Sequence, residues 1–291
     1  MTKHATKILH ISDLHFSCQS GGDEADHEIV MRHNAEILRS EEADLILVTG
    51  DLTNHGTTDS DELQIAKQWL DTLQCPVLVL PGNHDLGANQ ARAKLDPTSE
   101  QYEDVAYSDT RYARTFGGDT VLVSWLGGVR VVAIALRDRE ANETLVGLEK
   151  VLETSFPTIV IGHYPVVRVR DSGPIPKVQP LYEWLGEDLT RLKRILLKSE
   201  SVIAYCCGHV HASTAKVIGG TLVQISAGAL GAGPSAYRVY TIIGNEFLVE
   251  TRLGIGPLWF WETYGEIGSS TADYHLGSDL ERRLLLKIRQ D

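Results

Sequence analysis

The chain predicts an α/β protein of two β-sheets lying face to face, with helices on the outside. Three observations predict it. Near the N-terminus an apolar strand, a polar loop and an amphipathic helix follow one another twice, the signature of parallel βαβ units. Beyond residue 211 the texture changes to short strands separated by glycine turns. Five short apolar runs each lead directly into a cluster of Asp, Asn or His, as expected if several strands end at a common rim.

The elements follow in order. Residues 7–11 form a first strand entering Ser12-Asp13-Leu14-His15, and residues 28–40 have the apolar spacing of a helix. Residues 45–48 form a strand closed by Thr49-Gly50-Asp51; residues 60–72 return to helical spacing, with Asp61 and Glu62 in the first turn. A strand over 76–80 feeds Pro81-Gly82-Asn83-His84-Asp85. Residues 86–118 are polar and irregular, the composition of a lid or outer subdomain. Strands over 120–125 and 129–136 form a hairpin about Gly127-Gly128. A helix over 144–153 precedes the strand 158–161, which delivers Gly162-His163-Tyr164-Pro165. After a loop (166–180) and a helix (184–198), the strand 201–206 ends at Gly208-His209-Val210-His211. Strands over 214–218, 222–225, 237–243 and 246–251 follow. The tail finishes in residues 279–289, whose Leu280, Leu284, Leu285 and Ile288 suggest an amphipathic helix.

Bulk properties narrow the function. At 291 residues, 43% hydrophobic and 23% charged, the chain has the composition of a globular protein. A net charge of −12 argues against a general nucleic-acid binder, which needs a basic face. A phosphate substrate is still allowed, because carboxylates bound to divalent cations are locally neutralised. Cys18, Cys75, Cys206 and Cys207 show no CxxC spacing, and the Cys206-Cys207 pair reads as buried free thiols. Residues 1–7 contain no apolar leader and no run reaches membrane-span length, so the expectation is a cytoplasmic protein without a membrane partner.

The clusters carry the chemistry. In an extended backbone residues two apart face the same way, so Asp13 and His15 can grip one ion. Asp, Asn and His together suit borderline-to-hard divalent metals such as Mn, Fe or Zn. The order Asp13/His15, Gly50-Asp51, Gly82-Asn83-His84-Asp85, Gly162-His163 and Gly208-His209/His211 resembles the calcineurin-like metallophosphoesterases, over about the first three-quarters of the chain. In texture it is most similar to their class III cyclic-nucleotide phosphodiesterase branch. The resemblance implies a four-layer α/β/β/α sandwich of two mixed β-sheets flanked by helices. It makes residues 1–253 the catalytic domain and leaves 254–291 as a tail packed on that domain or in a homodimer contact.

The resemblance also implies roles. Asp13, His15 and His211 would hold one metal; Asn83, His163 and His209 would hold the other, with Asp51 bridging. A hydroxide shared by the two ions would attack phosphorus in line. His84 would stabilise the phosphoryl or leaving oxygen or donate a proton, and Asp85 would bond its other nitrogen and fix its tautomer. The activity implied is a phosphodiesterase on small phosphodiesters such as cyclic nucleotides. Alternatives are a phosphomonoesterase or protein phosphatase, a nuclease, or a scaffold without catalysis.

Other residues invite weaker readings. His10 is expected as a core or sheet residue, and His4, His27, His33 and His275 as surface. His55 could touch substrate, and Arg168 and Arg170 could clamp an anion. Trp259-Phe260-Trp261 reads as core or a subunit contact. Tyr164 is a departure, since many members carry a second histidine there.

Overall fold

The computed structural model describes residues 5–18, 22–87, 102–170, 186–256 and 270–288. Strands β1 (Thr6–Ile11), β2 (Leu45–Thr49) and β3 (Val77–Leu80) run parallel, connected by α1 (Gly22–Ser40) and α2 (Ser60–Asp71). The Asp59 side chain starts α2 by accepting the Asp61 N–H. After β3 comes the single turn α3 (Asn83–Leu86), and α4 (Arg111–Phe116) lies further on.

The next six strands build a second sheet: β4 (Val121–Leu126), β5 (Val129–Ile134), β6 (Thr158–Ile161), β7 (Val202–Cys207), β8 (Thr214–Ile218) and β9 (Leu222–Ser226). Its order is β4-β5-β6-β7-β9-β8; the four inner strands are parallel and the two edges antiparallel. Helices α5 (Ala141–Val151) and α6 (Gly186–Lys198) supply its crossovers. The chain then returns to the first sheet with β10 (Ala236–Ile243) and β11 (Glu246–Leu253), and ends in α7 (Ser270–Leu276), α8 (Asp279–Arg282) and β12 (Arg283–Lys287). The first sheet therefore has the order β12-β11-β10-β1-β2-β3.

Strand alternation sorts the side chains into layers. On β1, Leu9 and Ile11 join a cluster with Leu38, Leu63, Ala66 and Trp69 of the helices, whereas Ile8 joins Leu47, Val131, Ile159 and Ile161 between the sheets. On the other side Val132, Ile134 and Val160 pack with Leu145, Leu148, Leu189 and Leu192. Helix, sheet, sheet, helix is the expected α/β/β/α order. Because β1, β2, β3, β6 and β7 are all followed by ligand loops, both sheets deliver their clusters to one rim. No helix among the described residues is long and apolar enough to cross a membrane.

The C-terminus departs from the sequence reading. Residues 279–289 do not form one helix: a turn of helix gives way at Arg283 to β12, paired with β11 from Glu246↔Lys287 to Glu250↔Arg283. The leucines obey a period of two, with Leu284 and Leu286 packed inward and Leu285 53% exposed. Pairing the open edge of β11 satisfies backbone groups that a surface helix would leave to solvent. Smaller differences are the longer α1 and α5 and the short α4 inside the irregular stretch. Trp259-Phe260-Trp261, His4 and residues 171–180 of the expected loop lie outside the described residues.

Candidate metal centre

The loops after β1, β2 and β7 leave their strands through left-handed backbone. Asp13, His15, Asp51, His209 and His211 all have left-handed backbone, with φ of 55°, 53°, 50°, 73° and 52°. Only two other described non-glycine residues share that region, so positive φ is concentrated here. The conformation costs about 1–2 kcal/mol at a residue with a Cβ, and such strain gathers at functional sites. Hydrogen bonds between loops hold it: Asp13 N donates to Gly50 O at 2.9 Å and Leu14 N to Asp51 O at 2.7 Å. Gly82 is needed for close approach, since a Cβ there would lie 2.1 Å from Asp51 Oδ1.

The side chains converge in two groups. In the first, His15 Nε2 and His211 Nε2 are 3.0 Å apart, and His211 Nε2 is 3.4 Å from Asp13 Oδ1. In the second, His163 Nε2 lies 3.1 Å from Asn83 Oδ1, 3.2 Å from His209 Nδ1 and 3.3 Å from Asp51 Oδ2. Asp13, His15 and His211, and separately Asp51, His163 and His209, each offer donor atoms within 4.8 Å of one another. Bonds of about 2.0–2.2 Å to a cation place neighbouring ligand atoms roughly 3–3.5 Å apart, so both groups fit a divalent ion. The mixture of carboxylate, amide oxygen and imidazole suits borderline metals.

Electrostatics agree with that fit. Burial would raise the Asp13 carboxyl, but His211 and His163 outweigh it and hold its pKa low. Burial likewise opposes Asp51, which His163, His84 and His15 hold well below the carboxylate range. For His163, burial disfavours the proton, yet Asp51 and Asp13 raise its pKa to about 9. Burial first, then His211 and His84, lower His15 to about 3, leaving a neutral imidazole. Two buried carboxylates thus demand positive charge beside them.

His84 sits at the edge of the first group, its ring 5.1 Å from that of His15. Its main-chain N–H donates to Asp51 Oδ1 at 3.0 Å, and its Nδ1–H donates to the Asn54 carbonyl at 3.0 Å. This corrects the expectation for Asp85. The Asp85 carboxylate instead accepts from Leu52 N, Thr53 N, Thr53 Oγ1 and Gly82 N, tying the loop after β2 to the loop after β3. Burial and then the Asp51 charge push its pKa up to about 6, against which the four donors favour the ionised form. A backbone carbonyl fixes the His84 tautomer, and the carboxylate fixes the loop.

With this geometry in view, residues 6–213 match the calcineurin-like phosphoesterases. The chain belongs to that family. The glycerophosphodiester phosphodiesterase GpdQ of Enterobacter lignolyticus is 35% identical over 223 residues, 70% of each chain. The probable glycerophosphodiester phosphodiesterase GpdQ of Arcobacter nitrofigilis is 30% identical over 175 residues, 58% of this chain and 56% of that protein. The chain thus spans little more than half the length of the second relative. Among solved structures, a dimetal phosphatase from Danio rerio aligns over 86% of this chain and 96% of its own, with a TM-score of 0.57 at 13% identity. A purple acid phosphatase from yellow lupin aligns over 87% of this chain and 52% of its own, with a TM-score of 0.60 at 13% identity. These two likenesses concern the fold alone.

Other residues of this phosphoesterase can now be placed. Asn54 was missed: its Oδ1 accepts the His15 Nδ1–H at 3.0 Å while its carbonyl holds His84. A polar residue three positions after Asp51 was the available signal. Tyr164 is buried, with its ring edge-on to His163 at 4.9 Å and His209 at 5.1 Å. His10 is buried between Tyr240 Oη and Thr49 Oγ1, as a core residue should be. His55 is taken up by the buried Glu62, which accepts both its main-chain N–H and Nδ1–H. Arg170 is structural, paired with Glu281 at 2.7 Å, and Arg168 is exposed. His33 is exposed, but His27 is half-buried and donates to Leu14 O. His275 is only 6% exposed and not a surface residue, because the tail folds over the ligand loop. Cys206 and Cys207 are buried and free.

Proposed function

We propose that the chain is a phosphodiesterase acting on small phosphodiesters, glycerophosphodiesters and cyclic nucleotides among them, at a centre for two divalent cations. The observation that carries the reading is the pair of donor groups at one rim with His84 beside them. The names of the two GpdQ relatives support a diester substrate. Asp13, His15 and His211 would hold one cation and Asn83, His163 and His209 the other, with Asp51 serving both. When bound, such cations supply Lewis acidity toward phosphoryl oxygens and acidify water. Mn, Fe and Zn all suit these donors.

The chain's own residues do the rest. Asp51 and Asp13 set the charge of the centre, and their ionised state at neutral pH keeps it ready for cations. The Asn54 carbonyl keeps the His84 proton on Nδ1, so exchange with the leaving oxygen belongs to Nε2. As the imidazolium, His84 carries a second proton on Nε2 that can steady the phosphoryl oxygens and pass to the departing alkoxide, leaving the neutral Nδ1–H imidazole. The net charge of −12 disfavours long polyanions and is compatible with a small diester.

The test is steady-state hydrolysis of bis(p-nitrophenyl) phosphate, p-nitrophenyl phosphate, cyclic AMP and a glycerophosphodiester. Each is run on metal-stripped protein and again after manganese is restored. Turnover of the diesters on reloading is expected. Turnover of the monoester alone would make the protein a phosphomonoesterase, and silence on every substrate would overturn the reading.

A further inference from the structure

We propose that the C-terminal segment 270–282 completes the metal centre, with His275 as a positioning residue for the loop that carries His211. The proposal rests on the reading of Asp13, His15 and His211 as a cation site. His211 lies in the loop between β7 and β8, with a left-handed backbone and a side chain 32% exposed. A ligand at an exposed rim needs its backbone fixed from outside its own loop.

The tail provides that fixing. His275 Nδ1–H donates to the His211 carbonyl at 2.8 Å, and the His275 carbonyl accepts Ser213 N–H at 2.6 Å. One residue, 64 positions away, therefore grips both ends of the turn 211–213. The approach is close: a Cβ at Gly277, where φ is +85°, would lie 2.5 Å from Ser213 O.

The clamp is itself anchored. Arg170 donates to Tyr274 O at 3.1 Å and to Ser213 O at 3.3 Å, and pairs with Glu281. The fully buried Arg238 bonds Glu281 O at 2.7 Å and Thr214 O at 2.8 Å, binding tail and loop to one guanidinium. Ala272 and Leu276 bury against Ala236 of β10. The family match ends at residue 213, so this brace comes from a part of the chain that the match does not cover.

The test reads metal affinity and not turnover. In a His163→Ala background the site formed by Asp13, His15 and His211 is isolated, and free Mn(II) is followed by electron paramagnetic resonance. His275→Leu keeps apolar bulk but removes the donor; the Mn(II) dissociation constant should rise about ten- to hundredfold, as for other residues that orient a ligand. His275→Asn, whose amide can donate from near the Nδ1 position, should restore it to within about threefold. Thermal unfolding of the metal-stripped variants reports any general loss of fold. An unchanged dissociation constant in His275→Leu would overturn the proposal. So would a weakened site that His275→Asn fails to rescue while the stripped variants are equally stable. Absence of diester hydrolysis by the wild-type protein would sink the functional reading and leave this readout intact.

Discussion

In one donor group Asp51 and Asn83 come from the first sheet and His163 and His209 from the second; in the other, Asp13 and His15 come from the first and His211 from the second. Each group therefore spans the gap between the sheets, but the two are held differently. The group around His163 is braced from within. His163 is 2% exposed, its Nδ1–H donates to the carbonyl of Thr49, and Gly50 and Gly82 bring the loops into direct contact. The group around His211 depends on residues outside its motifs, Asn54 behind His15 and His275 behind His211. A ligand loop packed against another ligand loop needs little besides small residues. One at the open rim needs dedicated partners.

Asp51 gives the largest test, because it is the carboxylate assigned to both groups. Asp51→Ala should lower diester kcat by roughly a thousandfold or more. Manganese titration should then find both ions weakened; loss of one alone would make the groups independent. His84→Ala should cost about 10²- to 10⁴-fold in kcat, the usual worth of a general acid. Its manganese content should be unchanged, and unchanged turnover would remove His84 from the chemistry.

Asn54 separates the groups. Asn54→Ala should weaken manganese at the His211 group about ten- to hundredfold, as expected for a residue that orients a metal ligand. The other group should not respond. Asn54→Asp still accepts the His15 proton and should recover most of the affinity. In both variants the main-chain carbonyl that orients His84 remains, so any change in the proton-transfer limb of the pH–rate profile would contradict the division of labour.

What was legible in the sequence follows the same contrast. Strand-then-loop order brought the residues of both donor groups to one rim, because parallel strands carry their loops there whatever lies between them. The glycines of Gly50-Asp51 and Gly82-Asn83 marked where the backbones touch. Asp85 was misassigned because spacing alone does not tell which donors a buried carboxylate finds; four N–H and O–H groups lie nearer than the imidazole. His275 was read as surface since no local pattern links a residue of the tail to a carbonyl 64 positions earlier. Leu280, Leu284, Leu285 and Ile288 were read as a helix face, but a short apolar run suits a strand equally, and residues 283–287 pair with the edge of β11.

The brace beneath the His163 group makes a pH prediction. His10 bonds Thr49 Oγ1, while the carbonyl of the same Thr49 holds His163. Burial, and then the Arg238 guanidinium, lower the His10 pKa to about 3. Below about 6.5 the unfolded chain takes up a proton that the folded His10 refuses, so its contribution is complete above that pH and falls toward pH 3. The slope for one such proton is about 1.4 kcal/mol per pH unit. His10→Gln, which can still hydrogen-bond both neighbours, should flatten the acid limb of urea midpoints measured on metal-stripped protein between about pH 7 and 4.5. An equally steep limb would show that His10 is not the group refusing the proton.

Tyr164 should give the smallest effect and so the sharpest check on how self-contained the His163 group is. Its ring lies edge-on to both His163 and His209, and packing of that kind survives loss of the hydroxyl. Tyr164→Phe should leave manganese affinity and kcat within about twofold, since ring shape and volume are kept. Tyr164→Ala should instead destabilise the fold by about 3–5 kcal/mol, the range for emptying a buried aromatic site. A tenfold fall in kcat for Tyr164→Phe with metal retained would assign the hydroxyl to the substrate. The residue that stands where many members carry histidine would then be part of what selects this chain's diester.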